Sequence, residues 1–205
     1  MKEMWDNRYS AATYAYGKAP NDFFKTSLEK YRPKGRILMP AEGEGRNGVY
    51  AAKLGLEVTA FDISVEGRNK ALQLAQAEKV SIDYLVGDFM EMDFPDNHFD
   101  AAALIYAHFP RHLLSEYHKT IARLMEPNGL VILEGFSKSN LPLREKNPGI
   151  GGPAKKEMLF SEESIIRDFP NFEVLELAEV ETDLSEGEYH NGIAKVIRFV
   201  GRKTM

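Results

Sequence analysis

The sequence Gly43-Glu44-Gly45-Arg46-Asn47-Gly48 lies between an apolar run and a helical segment, and it constrains the fold of this chain more than any other feature. A glycine-rich turn between a strand and a helix lets a ligand approach the backbone closely. The next apolar run ends at Asp62. A carboxylate at that strand end can accept hydrogen bonds from the hydroxyls of a ribose. The turn and the acid together predict a site for a small molecule that contains adenosine.

Apolar runs typical of strands alternate with helical segments along most of the chain. These runs are Arg36 to Met39, Glu57 to Phe61, Ile82 to Val86, Ala101 to Ile105 and Leu130 to Leu133. Alternation of this kind predicts parallel strands joined by right-handed crossovers, with helices on both faces. Phe172 to Val180 and Ile193 to Val200 follow without a helix between them and predict an antiparallel pair. We expect an α/β fold with a doubly wound, seven-stranded, mostly parallel sheet and an antiparallel last strand.

Start and stop signals define the helices between these runs. Asn21 precedes a short helix that ends before Pro33, and Ser64 precedes the helix that follows the second strand. Pro127-Asn128-Gly129 predicts a turn, and residues 137–158 predict a long irregular segment rich in Gly and Pro. The length of 205 residues favours one large α/β domain over residues 1–205.

Composition narrows the class of function. The chain has no cysteine, which removes disulfides, thiolate nucleophiles and cysteine metal sites, and no other spacing of ligands predicts a metal site. A net charge of −5 works against a nucleic-acid partner. No apolar run is long enough to span a bilayer, and the first residues do not resemble an export signal. We expect a cytoplasmic protein with a small-molecule substrate, no nucleic-acid or membrane partner, and a monomeric or weakly dimeric state.

The charges beside the glycine turn bear on which ligand binds there. Glu42 and Glu44 flank Gly43. A carboxylate about 4 Å from a pyrophosphate costs on the order of 1 to 4 kcal/mol, depending on exposure. A ligand with a sulfonium and an ammonium group would be attracted instead, and S-adenosylmethionine is such a ligand. The hypothesis of an NAD(P)-dependent Rossmann oxidoreductase stays open, because the glycine spacing also fits a dinucleotide fingerprint.

Other candidate cofactor contacts follow from the rule that ligands bind at the carboxyl ends of parallel strands. Asp88 and Phe89 end the third strand, where a carboxylate can accept from the adenine amine and a ring can pack on the base. We add Ala41, Ile63 and Tyr106, which follow the first, second and fourth strands.

On these residues the chain resembles the class I S-adenosylmethionine-dependent methyltransferases, and more narrowly their thiopurine-type and tellurite-resistance-type branch. The similarity includes the leader motif Trp5-Asp6-x-Arg8-Tyr9, a second leader motif around Tyr16, the glycine turn, Asp62, and Asp88-Phe89.

The resemblance implies the roles of these residues. Gly43 and Gly45 would hold the methionine part of the cofactor, Asp62 the ribose and Asp88 the adenine, with further contacts from Trp5 and Tyr16. Residues 1–31 would form a lid over the cofactor.

The chain departs from the family pattern at two positions. Met39 stands where the family has an acid, and Ala41 stands where it has a glycine. These departures leave open a third hypothesis, a non-catalytic S-adenosylmethionine-binding protein.

Three residues are candidates for contact with the methyl acceptor. His108 follows the fourth strand, Glu134 ends the fifth, and His190 lies in the turn between the last two strands. A histidine or carboxylate can remove a proton from an amine or hydroxyl acceptor, whereas a thiolate needs no strong base. Tyr106-Ala107-His108-Phe109-Pro110 does not match the motif of nucleic-acid amine methyltransferases, so a small acceptor such as a thiol is favoured.

Overall fold

A computed structural model describes the backbone of residues 1–205 and every side chain except that of Arg111. The described chain forms a seven-stranded sheet in the order β3-β2-β1-β4-β5-β7-β6. The strands are β1 (Arg36–Pro40), β2 (Glu57–Asp62), β3 (Asp83–Val86), β4 (Phe99–Ile105), β5 (Met125–Phe136), β6 (Phe172–Glu186) and β7 (His190–Lys203). The helices are α1 (Lys2–Tyr9), α2 (Asp22–Tyr31), α3 (Arg46–Lys53), α4 (Val65–Ala77), α5 (Arg111–Leu124), α6 (Leu141–Lys146) and α7 (Glu162–Asp168).

The sheet has the predicted topology. β1 pairs in parallel with β2 and β4, β2 with β3, and β4 with β5. β7 is antiparallel to both β5 and β6. The predicted doubly wound α/β fold with an antiparallel last strand is therefore confirmed.

The central strand shows why the sheet forms. Ile37, Leu38 and Met39 of β1 are completely buried. Ile37 and Met39 belong to the core cluster on one face of the sheet, and Leu38 belongs to the cluster on the other face. Successive side chains of a strand point to opposite faces, so a strand covered by helices on both sides has a continuous apolar run.

Two predicted helix caps are confirmed. The side chain of Asn21 accepts a hydrogen bond of 2.9 Å from the backbone N–H of Phe24 at the start of α2. The side chain of Ser64 accepts one of 3.1 Å from Gly67 at the start of α4. Each cap satisfies an N–H group that the first turn of a helix leaves free.

Two predictions of irregular structure are wrong in detail. The predicted turn at residues 127–129 lies inside β5, where the pairing with β4 shifts register between Phe99 and Ala101, and Asn128 is left-handed with φ 67°. The predicted irregular segment 137–158 contains α6 and three short 3-10 turns. Two of these elements have a proline in the first turn, where the missing N–H costs nothing.

Backbone geometry marks the point where the strand order reverses. Ala41 follows β1 with φ 51°, and Tyr106 follows β4 with φ 54°. A left-handed conformation is uncommon for residues other than glycine, and such strain concentrates at functional sites. β1 and β4 are neighbours with connections that run to opposite sides, so both residues lie at the switch point where ligands bind in this class of fold.

We predict that Gly45→Ala destabilises the fold more than Gly55→Ala does. Both glycines are left-handed, with φ 85° and 88°. A Cβ on Gly45 would lie 2.6 Å from the Cβ of Ala71 in α4, whereas a Cβ on Gly55 meets no atom within 4 Å. Gly55→Ala should cost about 1 to 2 kcal/mol through backbone strain alone. Gly45→Ala should cost about 1 to 3 kcal/mol more, because the overlap is with both Cβ and Cα of Ala71 in the packed helix α4.

Urea unfolding of the two variants and the native chain measures this difference. Equal losses of unfolding free energy would contradict the tight packing of the glycine turn against α4.

Candidate functional site

The glycine turn and the end of β2 meet at one point. The backbone N–H of Gly43 donates a hydrogen bond of 3.1 Å to Oδ2 of Asp62, and the N–H of Ser64 donates one of 2.9 Å to Oδ1. Gly43 is left-handed with φ 61°, and a Cβ there would lie 2.7 Å from the hydroxyl of Tyr9. The buried carboxylate of Asp62 therefore lies directly beside the backbone of Gly43, which the Tyr9 hydroxyl approaches closely.

Burial raises the pKa of two carboxyl groups at this turn. The pKa of Asp62 rises to about 6, although backbone N–H groups of Ser64, Gly43 and Ile63 oppose the rise. The pKa of Glu42 rises to about 7, although hydrogen bonds from Gly48 and Asn47 and the charge of Arg46 oppose it. A bound cation would stabilise the charged form of both groups, because an opposite charge lowers the pKa of a carboxyl group.

The two glutamates beside Gly43 have different surroundings. Oε1 of Glu42 accepts a hydrogen bond of 2.6 Å from the N–H of Gly48 at the start of α3. Glu44 forms an ion pair of 2.7 Å with Lys70 and accepts a hydrogen bond of 2.7 Å from the N–H of Ala15. Both side chains are buried, and the charge of Glu44 is offset by Lys70. The electrostatic argument from the sequence therefore applies to Glu42 and Asp62 rather than to Glu44.

Helix α1 packs over this turn. Trp5 stacks on Tyr9 with 5.4 Å between ring centroids, and Tyr9 lies on Gly43. Oδ1 of Asp6 accepts hydrogen bonds of 2.6 Å from the Ser64 hydroxyl and 3.0 Å from the N–H of Val65. A carboxylate at a helix N-terminus is favourable, so Asp6 fixes α1 to α4 directly beside Asp62.

Asp88 and Phe89 are neighbours just after β3, but their side chains lie in different surroundings. Asp88 is exposed, and its Oδ1 accepts hydrogen bonds of 2.6 Å from the Tyr117 hydroxyl and 3.0 Å from the N–H of Met90. The ring of Phe89 is 3% exposed and stacks on Phe61 at 4.9 Å. The ring predicted to pack on adenine thus lies in the core.

Glu134 and Tyr106 are joined at the ends of β5 and β4. The Tyr106 hydroxyl donates a hydrogen bond of 3.0 Å to Oε1 of Glu134, which is 1% exposed. The same oxygen accepts 2.7 Å from Nδ2 of Asn21, and Oε2 pairs with Arg198 at 2.5 Å. Every oxygen of this carboxylate has a protein partner, and the arrangement gives Glu134 a structural role.

His108 uses both ring nitrogens for the backbone. Nδ1 lies 2.8 Å from the carbonyl oxygen of Met158, and Nε2 accepts a hydrogen bond of 3.0 Å from the N–H of Phe136. Nδ1 therefore carries the proton and donates it to the carbonyl. Burial lowers the pKa of His108 to about 4, although the bond to Met158 opposes this. No ring nitrogen is free to accept a substrate proton, contrary to the catalytic role expected for His108.

His190 lies in a cluster of aromatic rings. Its ring centroid is 4.5 Å from those of Tyr16 and Tyr106 and 5.2 Å from that of Phe136. Nδ1 lies 2.9 Å from Oε2 of Glu186. Burial lowers the pKa of His190, and its bond to Glu186 opposes the change. Of the three candidates for contact with the methyl acceptor, only His190 has a proton-accepting atom that forms no hydrogen bond with a described side chain. That atom is Nε2.

A buried polar network links these groups, and the sequence did not assign it a role. Nη2 of Arg46 lies 2.9 Å from Oε2 of Glu186. Nδ2 of Asn21 donates 3.1 Å to Oε1 of Glu186, and the backbone N–H of Asn21 donates 2.8 Å to Oδ1 of Asn47. Arg46 and Asn47 directly follow Gly45, and both side chains are buried. A charged residue at the start of this helix was the signal available in the sequence, and its burial is seen only in the structure.

No group of three His, Cys, Asp or Glu side chains described in the structure has the arrangement of a metal site. No helix among the described residues is long and apolar enough to cross a membrane.

Known proteins resemble this chain over its glycine turn and its fold. Residues 37–129 match the family model of a methyltransferase domain. A demethylmenaquinone methyltransferase of Renibacterium salmoninarum is 29% identical over 51% of this chain and 43% of its own length. The chain spans less than half the length of the first curated relatives that it matches, 23% and 43%.

Two solved structures share the fold over the whole chain. One, described by the conversion of a disulfide bond into a thioacetal group during echinomycin biosynthesis, has a TM-score of 0.78 at 17% identity and covers 100% of this chain and 92% of its own. TehB of Haemophilus influenzae has a TM-score of 0.72 at 15% identity and covers 99% of this chain and 67% of its own. The matched family model describes a methyltransferase domain, and the curated relatives are named as methyltransferases. A further solved structure with this fold, from Methanosarcina mazei, is described as an S-adenosylmethionine-dependent methyltransferase and has a TM-score of 0.66 at 17% identity.

We predict that Glu42→Gln makes the unfolding free energy less dependent on pH. The native pKa of about 7 lies above the ordinary value of 4.5, so the folded state holds this proton more tightly than the unfolded chain. The resulting stability is complete below pH 4.5 and is lost as the pH rises to 7. Glutamine stays neutral and keeps an oxygen for the N–H of Gly48, so the variant should gain about 1 to 3 kcal/mol relative to the native chain across this range.

Urea unfolding at several pH values measures this gain. Glu57→Gln, at an exposed glutamate of β2, is the matched control and should follow the native pH dependence. A Glu42→Gln curve parallel to the native one would show that burial does not raise the pKa of Glu42.

Proposed function

We propose that this protein transfers the methyl group of S-adenosylmethionine to a small-molecule acceptor. The observation that supports this most is the buried Asp62 carboxylate, held by the N–H of Gly43 at the end of β2. Acidic groups with raised pKa values beside a glycine-rich turn suit a ligand that carries a ribose and a positive charge. The charged form of Glu42 beside the turn would repel a pyrophosphate, which argues against the NAD(P)-dependent alternative.

Each proposed cofactor contact lies at a strand end or on the leader. Gly43 and Gly45 would hold the methionine part, Asp62 the ribose hydroxyls, and Asp88 the adenine. The further proposed contacts are Trp5, Tyr16, Ala41, Ile63, the backbone of Phe89, and Tyr106.

Residues 1–31 would cover the bound cofactor as a lid, within a single domain of residues 1–205. Two contacts support the lid. Asp6 caps α4 beside Asp62, and Glu44 holds the N–H of Ala15.

The protein's own groups would align the reactants and accept a proton from the methyl acceptor. When bound, S-adenosylmethionine supplies an activated methyl group on a sulfonium. The leader and the tip of the β6–β7 hairpin would exclude water from the bound reactants, which would strengthen the electrostatic interactions between them and the protein. Nε2 of His190 is the atom proposed to accept a proton from the acceptor, because the nitrogens of His108 and the oxygens of Glu134 have protein partners.

The proposal also includes the chemical class of the methyl acceptor and the branch of the methyltransferase family. A thiol or another soft nucleophile fits this site, because most of the charged side chains there form ion pairs with each other. The leader motifs and the similarity of fold to TehB support membership of the thiopurine-type and tellurite-resistance-type branch. A non-catalytic S-adenosylmethionine-binding protein would bind the cofactor and transfer nothing.

Calorimetric titration with S-adenosylmethionine and with NAD tests the cofactor. We expect S-adenosylmethionine to bind and Asp62→Asn to weaken binding about 10- to 100-fold, since the change removes a charged acceptor of hydrogen bonds. Asp83→Asn is the matched control, because Asp83 is exposed at the opposite end of the neighbouring strand. Both variants are first compared with the native chain by thermal unfolding.

Three results would contradict the proposal. These are binding of NAD alone, no binding of S-adenosylmethionine at millimolar concentration, and equal affinities of the Asp62 and Asp83 variants. Transfer of a radiolabelled methyl group to a panel of thiol, selenium, tellurium and phenolic acceptors then separates an enzyme from a binding protein.

A further inference from the structure

We propose that Glu186 is a positioning residue that holds the imidazole of His190 as the proton acceptor for the methyl acceptor. The inference rests on the proposed methyltransferase function and adds to it a positioning residue and the tautomer of His190. Glu186 and His190 form a carboxylate–imidazole pair at the tip of the hairpin between β6 and β7.

The pair has the geometry of an oriented base. Oε2 of Glu186 lies 2.9 Å from Nδ1 of His190. A carboxylate accepts hydrogen bonds only, so Nδ1 carries the proton and Nε2 is left with its lone pair. Among the described side chains, none forms a hydrogen bond with that Nε2. A base held in one tautomer by a third group is the arrangement that general-base catalysis uses.

Aromatic packing fixes the ring of His190. The rings of Tyr16, Tyr106 and Phe136 have centroids within 5.2 Å of it. Gly151 also approaches closely, because a Cβ there would lie 2.6 Å from Cδ2 of the imidazole. The ring therefore cannot turn freely, and Nε2 keeps one direction.

Arg46 connects the pair to the glycine turn. It forms an ion pair of 2.9 Å with the Glu186 oxygen that faces His190, and the side chains of Arg46 and Glu186 are 9% and 14% exposed. Burial would raise the pKa of Glu186, but His190 and Arg46 lower it to about 2, so the carboxylate is charged at neutral pH. The same carboxylate can then stabilise an imidazolium next to it.

Titratable and charged groups face the imidazole from several elements. They are Glu186 on its own hairpin, Arg8 of α1, Tyr16 of the leader, Arg46 of α3, and Tyr106 and His108 after β4. Burial and the two arginines disfavour the charged ring and Glu186 favours it, so Glu186 is the neighbour that promotes proton uptake by His190.

The step that His190 assists balances without another reactant. The O–H or S–H bond of the acceptor breaks, its proton moves to Nε2, and the electron pair stays on the acceptor heteroatom, which gains the methyl group that the sulfonium loses. The imidazolium returns its proton to water. An acceptor that is protonated at neutral pH, such as a phenol, needs this step, and an acceptor that is already a thiolate does not.

Glu186→Gln tests the pair in the free protein by NMR titration of the His190 imidazole. Removing the adjacent negative charge should lower the pKa of His190 by about 1 to 3. Glu188→Gln removes an exposed charge from the same hairpin and should leave the His190 pKa unchanged. A pKa that stays constant in Glu186→Gln would overturn the proposal.

Methyl transfer to acceptors of graded acidity is the second readout. Relative to the native chain and to Glu188→Gln, we expect Glu186→Gln to lower kcat/KM about 10- to 100-fold for phenols and less than about 3-fold for thiols ionised at the assay pH. A general structural defect would lower kcat/KM equally for all acceptors, and that result would overturn the proposal.

Failure of the proposed function gives a different result. If the native chain binds no S-adenosylmethionine in calorimetry, the methyltransferase function is lost and the proton-acceptor role with it. The NMR titration needs no cofactor, so it still decides whether Glu186 controls the imidazole.

Discussion

The buried ion pair between Arg46 and Glu186 connects three parts of the chain that are far apart in sequence. Arg46 begins α3 directly after the glycine turn, Glu186 ends β6, and the leader lies between them, with Nδ2 of Asn21 donating to the same glutamate. Removing one partner of a buried ion pair leaves an uncompensated charge and costs about 3 to 5 kcal/mol. The pair and the bond from Asn21 tie the leader and the hairpin tip that carries His190 to the start of α3.

A second constraint acts on the other side of the crevice. The residues that follow two of the strands have a left-handed backbone conformation: Ala41 after β1 and Tyr106 after β4. Two glycines of the turn, Gly43 and Gly45, are also left-handed. This backbone brings the N–H of Gly43 to Asp62 and keeps that carboxylate buried. Burial raises the pKa values of Asp62 and Glu42, so the site holds acidic groups whose charged forms a cationic ligand would stabilise. The charge of the site and the shape of its backbone favour the same class of ligand.

Local signals predicted the fold well. The caps at Asn21 and Ser64 and the buried runs of the parallel strands depend on neighbours within a few residues, and the structure confirms them. The sequence predicted the glycine turn beside Asp62 for the same reason, since both follow from strand ends that the sheet must bring together.

Contacts between distant residues were not predictable. Both ring nitrogens of His108 form hydrogen bonds with the backbone of Met158 and Phe136, and Glu134 forms an ion pair with Arg198. Each partner lies 28 or more positions away in the sequence. Phe89 lies in a 3-10 turn just after β3, and its ring packs on Phe61 because that face of the sheet is core. The role of Glu186 depends on Arg46, 140 positions away, and no local pattern reports such a pair.

A crystal structure of the chain with S-adenosylhomocysteine tests the cofactor site most directly. The carboxylate of Asp62 should accept hydrogen bonds from the ribose hydroxyls, and the amino-acid end of the ligand should lie against Gly43 and Gly45. A ligand bound away from the carboxyl ends of β1 and β2, or a ribose without contact to Asp62, would contradict this assignment.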